Sequence, residues 1–201
     1  MTRLSISHVL LAGLLSVSTV GAVPKSSHAA PGTKRIDICH GYGCAFRSRL
    51  DIGPGDAARF ASILAAGRSS PKAERAAIAR AVGYFEKRAQ QVTGVRDAPQ
   101  SEFGASKIKG QMDCVDESTN TDALLRYLQG RGLLRYHKVE ARTSRGFLLD
   151  GRYPHWTAVV RAPDGVKWVV DSWYAPMGGA PDIIPLRDWK QRGVLESGAL
   201  N

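Results

Sequence analysis

The chain has 201 residues, of which 43% are apolar, enough to bury the core of one ordinary domain. Its 28 lysines and arginines outnumber 18 acidic residues, giving a formal charge of +10, yet the basic side chains are scattered in runs no longer than Lys34-Arg35. That scatter reads most simply as a solvated surface. Such an excess can mean nucleic acid, but an exported chain rarely meets any, and anionic envelope polymers or membrane surfaces are its natural neighbours.

The first 30 residues differ from the rest. Arg3 precedes an apolar run from Val9 to Val23, and no carboxylate occurs before Asp37. A short charged region followed by an apolar stretch too short to span a bilayer is the pattern of a secretory signal. Val20-Gly21-Ala22 and Ser27-His28-Ala29 offer two small-residue cleavage sites, with an uncleaved anchor as the alternative. Residues 1–30 are therefore expected to be signal peptide and the start of a linker. Residues 31–201 form one exported domain, periplasmic or secreted, with no stable membrane insertion after cleavage. Losing residues 1–22 removes only Arg3 and leaves +9 of the original +10.

Three cysteines follow. In an oxidising compartment, an odd count suggests one local disulfide, Cys39 with Cys44, and one free thiol, Cys114. The segment Cys39-His40-Gly41-Tyr42-Gly43-Cys44 is also compatible with half a metal site, but no second pair completes four ligands. A redox role is disfavoured because the C-x-x-C spacing is missing.

Residues 24 to about 35 read as a flexible linker, and Phe46 to Leu50 as a short strand. Pro54-Gly55-Asp56 starts a helix to Ala66 that Gly67 ends. Ser70 as N-cap with Pro71 at the first helical position begins a long helix to about Val92. Its apolar stripe is Ile78, Ala81, Val82, Phe85, Ala89 and Val92, which reads as core.

The stretch Gly110-Gln111-Met112-Asp113-Cys114-Val115-Asp116 reads as a loop turning into a helix. Asp113 is a good N-cap and Asp116, three residues on, completes something close to a capping box. Ala123, Leu124, Leu125 and Leu128 follow at helical spacing, and Gly130 or Gly132 supplies the stop. Cys114 then sits in the first turn, where the positive helix end stabilises a thiolate. Asp116 and Glu117 act in the opposite sense on the thiol.

After Gly132 the pattern changes to strands: Tyr136 to Arg142, then Gly146 to Leu149, then His155 to Val160 and Lys167 to Trp173. Pro163-Asp164-Gly165 makes a tight turn between the last two. With a three-residue loop the paired positions sum to 328, so His155 faces Trp173 and Asp171 faces Thr157. His155 and Asp171 then share a face, one diagonal step apart. A carboxylate beside a histidine fixes its tautomer and leaves the other nitrogen as a base for a thiol. The contact between Cys114 and this face is beyond what periodicity supplies. Residues 175–185 form a Gly- and Pro-rich loop, and a short helical piece runs from Leu186 to Gly193. Helices first and antiparallel strands second is an α+β order.

Asp113-Cys114-Val115-Asp116, Pro154-His155-Trp156-Thr157-Ala158-Val159 and Trp168-Val169-Val170-Asp171-Ser172-Trp173 together resemble the transglutaminase-like superfamily, which includes bacterial cysteine proteinases. The resemblance covers about residues 105–190. It implies an α+β fold with the cysteine helix packed on an antiparallel sheet, as in a papain-like core. It also implies Cys114 as nucleophile, His155 as general base and acid, and Asp171 as the orienting group. Gln111 is the candidate oxyanion donor beside the N–H of Cys114. The expected activity is a thiol hydrolase or acyltransferase acting on a peptide or protein substrate such as a cell-envelope component, without metal or organic cofactor. The rival reading is a catalytically inactive module for binding or assembly in the envelope, using Trp156, Trp168, Trp173 and Trp189.

Overall fold

The computed structural model describes residues 32–101, 104–146 and 154–192. The expected signal segment and the strand candidate at 147–149 lie outside the described residues. Within them the architecture is α+β, with four helices and antiparallel sheets. No helix among the described residues is long and apolar enough to cross a membrane.

The described residues begin with a hairpin that takes in the end of the expected linker. β1 (Lys34–His40) pairs antiparallel with β2 (Phe46–Ile52), from Lys34 opposite Ile52 to His40 opposite Phe46. Lys34 and Arg35, assigned to the linker by composition, are strand residues because Ile36 and Ile38 bury on one face. Helices first, strands second is thus corrected: two strands precede the first helix.

α1 (Pro54–Ala65) starts on Pro54, and Asp56 reaches back to the N–H of Gly53 at 3.4 Å. α2 (Pro71–Thr93) is capped by the Ser70 hydroxyl, which accepts from Ala73 N at 3.1 Å. Left-handed Gly94, with φ of 74°, ends it. Its buried stripe of Ile78, Ala81, Val82, Phe85 and Ala89 matches the helical period. α3 (Cys114–Gly130) buries Leu124, Leu125 and Leu128 in the same core.

β5 (His155–Arg161) is the centre of the second sheet. It pairs with β3 (Lys138–Val139), β4 (Thr143–Arg145) and β6 (Lys167–Val170), all antiparallel. At Val160 and Arg161, β3 lies on one edge and β6 on the other. The expected strand over 136–142 is reduced to the two residues of β3, and β4 follows just beyond it at Thr143–Arg145. The β5–β6 register runs from Ala158 opposite Val170 to Arg161 opposite Lys167, the pairing that a three-residue turn dictates. The ladder stops at Val170, short of the expected Trp173, and the other edge of β6 bridges to the 182–185 segment, Trp168 to Pro185 and Asp171 to Asp182. His155 accordingly pairs with Arg145 of β4 and not with Trp173. α4 (Leu186–Gln191) closes the described chain and buries Trp189.

Candidate active site

The start of α3 is held by two carboxylates. Asp113 accepts from the N–H of Asp116 at 2.9 Å, and Asp116 accepts from the N–H of Asp113 at 3.3 Å, a reciprocal capping box. The same carboxylates anchor the cysteine loop. Gly41, Tyr42, Gly43 and Cys44 all have positive φ, at 84°, 68°, 60° and 59°. This left-handed run turns the N–H groups of Tyr42 and Cys44 onto Asp116, at 2.7 and 2.5 Å, and that of Gly43 onto Asp113, at 3.1 Å. Burial pushes the Asp116 carboxyl up to about 6, against these hydrogen bonds.

The loop is closed by a Cys39–Cys44 disulfide. The two sulfurs cluster with Asp116, but they are bonded to each other and offer no ligand set. Replacing both cysteines by serine is expected to cost about 2 kcal/mol through the freer unfolded chain. Thermal unfolding of the double variant against the parent checks it.

Gly110 lies just before the cysteine helix with φ of 89°, and a Cβ there would stand 2.4 Å from the Cβ of Val95. The N–H of Gly110 donates to Nδ1 of buried His40 at 3.1 Å, so Nε2 of His40 carries the proton that Ser48 Oγ accepts at 2.9 Å. Gly110→Ala is expected to lose about 2–3 kcal/mol from strain and overlap together. A denaturant midpoint near that of the parent would contradict this.

On the sheet side, His155 is fully buried at the first position of β5. Its Nε2 lies 2.8 Å from Oδ2 of Asp171, and the indole N–H of Trp189 donates to the same oxygen at 2.7 Å. The ring sits among Trp173, Tyr174 and Trp189, with centroids at 4.6, 5.6 and 5.6 Å. Arg145, opposite His155 on β4, supports this box. It donates to the carbonyls of Trp189 and Arg192 at 2.8 and 2.9 Å and to the hydroxyl of Tyr174 at 2.5 Å. The remaining nitrogen, Nδ1 of His155, is buried and has no partner among the described residues. Because Nε2 donates to a carboxylate, Nδ1 carries the lone pair, and the imidazole is oriented as a base.

Packing of α3 on β5 supplies what periodicity could not. Sγ of Cys114 lies 3.9 Å from the carbonyl of Pro154, and the backbone N–H of Trp156 also acts on the thiol, so the sulfur abuts the strand on both sides of His155. The side chain is 4% exposed. The expected thiolate is not what this environment favours. Burial pushes the Cys114 thiol up to about 12, with Asp113, Asp171 and Glu117 adding to the effect and the Trp156 N–H opposing it. The dipole of the first turn is outweighed because the sulfur faces the interior rather than water.

Behind the cysteine lie three buried carboxyls from different elements. Glu86 on α2 accepts from the N–H of Gly178 at 2.6 Å, and Asp97 accepts from that of Met112 at 2.8 Å. Burial raises Glu86 to about 8 and Asp97 to about 7, and raises Glu117 on α3 well above the carboxylate range. The Asp97 carboxyl hydrogen-bonds that of Glu117, and the Ser172 hydroxyl serves both Glu86 and Glu117. A cavity of about 10 Å³, enough for about one water, touches Glu86, Glu117 and Ser172.

His155 and Asp171 thus meet directly, and Cys114 abuts the main chain on either side of His155 without a hydrogen bond to the imidazole among the described residues. Gln111 is half-buried and precedes Cys114. Its carbonyl accepts from the N–H of Gly41 at 2.6 Å, while its side chain has no hydrogen bond among the described residues. Trp173 and Trp189, counted in sequence as binding-surface aromatics, are buried around His155 instead, whereas Trp156 is 38% exposed. Sequence reasoning missed Arg145, Tyr174, the carboxyl cluster and the role of Trp189 towards Asp171. No local pattern marks them, since their partners lie tens of residues away. The chain matches no family model, no curated protein and no solved structure.

Proposed function

We propose that this chain is an exported thiol hydrolase or acyltransferase of transglutaminase-like type, acting on amide or peptide bonds. The observation that carries the reading is the buried imidazole of His155, with Nε2 on Asp171 and Nδ1 unpartnered beside the strand residues that Cys114 touches. Leaving a buried ring nitrogen unpaired costs free energy, and a proton-transfer role gives that cost a reason.

In this reading the proton moves during attack, because Cys114 rests as a thiol. Nδ1 of His155 takes it as Sγ bonds to the carbonyl carbon. The N–H of Cys114, with Gln111 as second candidate donor, receives the oxyanion. Collapse breaks the C–N bond, His155 returns the proton to the leaving amine, and water or another amine releases the acyl group. Asp171 stabilises the imidazolium. Three side chains suffice, so the reading calls on no metal or organic cofactor.

One observation favours the second reading, an inactive envelope module: a nucleophile 4% exposed, with its thiol pushed up to about 12. Acylation by p-nitrophenyl acetate, followed by intact mass and by p-nitrophenolate release, separates the two. An active site gives an acetyl adduct that Cys114→Ala lacks and that forms at least about a hundredfold more slowly in His155→Ala. No adduct on folded protein, or equal rates in parent and His155→Ala, assigns the chain to the inactive class.

A further inference from the structure

The edge of β1 that faces away from β2 is partly open, and its register shows where. The N–H of Cys39 donates to Oδ1 of Asn120 at 2.8 Å, and the carbonyl of Cys39 accepts from Nδ2 of Asn120 at 2.9 Å. Cys39 therefore turns its main-chain groups away from its β2 neighbour Arg47. Paired and unpaired positions alternate along an antiparallel ladder, so Asp37 and Arg35 turn theirs the same way. In the other direction Gly41 does so too, and the preceding loop satisfies it. Its N–H donates to Gln111 at 2.6 Å and its carbonyl accepts from Lys107 at 3.0 Å. The edge is thus covered by a loop at Gly41 and by one side-chain amide at Cys39. At Asp37 and Arg35 the main-chain groups have no partner among the described residues.

A cleft of about 710 Å³ opens at that point, between this edge and the face of α3 carrying Ala123 and Tyr127. Lys34, Arg35, Arg47 and Arg131 line it, all exposed, and none makes an ion pair or side-chain hydrogen bond among the described residues. The other lining cation, Arg126, is committed to Asp122 at 2.8 Å. Asp37 is the one carboxylate of the lining, and it stands opposite Arg49 across the strand pair.

We infer that this cleft binds an extended acidic peptide as an added strand on β1. Asp37 and Arg35 offer it main-chain donors and acceptors, and Lys34, Arg35, Arg47 and Arg131 meet its carboxylates. Asn120 already lays one amide where such a strand would continue, at the spacing that a main-chain amide requires. Thr33 to Asp37 spans about 17 Å, room for about five residues of guest strand. Strand addition gives affinity through the main chain while side-chain pockets select, and here the selection is by charge. A second copy of β1 could set Arg35 opposite Asp37, but it would bring two sets of Lys34, Arg35, Arg47 and Arg131 together against only two carboxylates. The segment preceding β1 is no better matched, for residues 24–33 hold Lys25 and no carboxylate. The site is separate from Cys114 and stands whether or not that residue is a nucleophile.

The test uses the disulfide-intact protein and a fluorescent hexapeptide of alternating glutamate and threonine, followed by anisotropy. Saturable binding is expected, weakening with added salt and falling at least about tenfold for the same peptide N-methylated at alternate residues. The methylated peptide keeps its charge and loses the ladder, and it makes no demand on protein folding. Arg35→Glu with Arg131→Glu, confirmed folded by circular dichroism, is expected to lose binding, as is a lysine-threonine peptide with the parent. Absence of binding overturns the inference. So does equal affinity for the methylated peptide, which would reduce the cleft to a diffuse cationic surface. Binding to phosphatidylglycerol vesicles without binding to the peptide, or a dimer that the peptide fails to displace, also overturns it.

Discussion

Asp171→Ala is expected to remove acyl transfer and weaken the fold in one step. Oδ2 of Asp171 receives two buried donors, Nε2 of His155 and Nε1 of Trp189, at 2.8 and 2.7 Å. Deleting the carboxylate leaves both without a partner in a site that water does not reach. Two orphaned buried donors correspond to about 3–5 kcal/mol of lost stability. The rate should fall by about four orders of magnitude, since the imidazole loses both its tautomer and its orientation. Asp171→Asn keeps the shape and one acceptor, so its stability loss should be about half as large. Denaturant unfolding and p-nitrophenyl acetate kinetics, taken below the midpoint of the weaker variant, check both statements. Parent-like unfolding of Asp171→Ala would mean that the carboxylate does not carry these two contacts.

The second large effect is a loss of stability as the pH rises. Glu86, Asp97 and Glu117 are held above their unfolded values, to about 8, to about 7 and well above the usual range respectively. The folded chain therefore binds more protons than the unfolded chain between about pH 4 and these values. Their stabilising protons are fully in place below the unfolded values and are lost as the pH climbs through 7 to 8. The melting temperature should fall by roughly 5 °C or more from pH 5 to pH 8. Glu117→Gln removes one ionisation from a fully buried position, so it should flatten that fall while leaving the melting temperature at pH 4.5 near the parent's. A parent profile as flat as that of Glu117→Gln would show that these carboxyls ionise without cost. The cluster bridges α2, α3 and the segment from Ser172 to Gly178, so the same ionisation loosens the support directly behind Cys114.

Much of this was readable in order along the chain because the physics involved is local. Ser70-Pro71 and Asp113-Cys114-Val115-Asp116 announce helix starts through the hydrogen bonds that a first turn lacks, and both helices begin there. Pro163-Asp164-Gly165 set the turn length, and the turn length set the 328 register of β5 and β6. From that parity alone, His155 and Asp171 share a face, and their side chains meet at 2.8 Å. The pairing of Cys39 with Cys44 follows from closeness in sequence and an odd cysteine count.

Tertiary structure decided the rest, because it depends on which surfaces meet. Lys34 and Arg35 of β1 sat in a stretch that reads as linker, and pairing with β2 together with burial of Ile36 and Ile38 makes them strand. The other edge of β6 pairs with the 182–185 segment through Asp171 and Trp168, a contact that no local pattern marks. The helix dipole at Cys114 is a property of the sequence, whereas the desolvation that overrides it belongs to the packing of α3 on β5. Sequence by itself determined the helix starts, the hairpin register and the shared face of His155 and Asp171, since each is fixed within a few residues or by parity. Folding decided that Cys114 abuts the start of β5, that three carboxyls are buried nearby, and that one edge of β1 stays open. Those outcomes rest on contacts between segments far apart in the chain, where burial rather than local geometry sets the free energy.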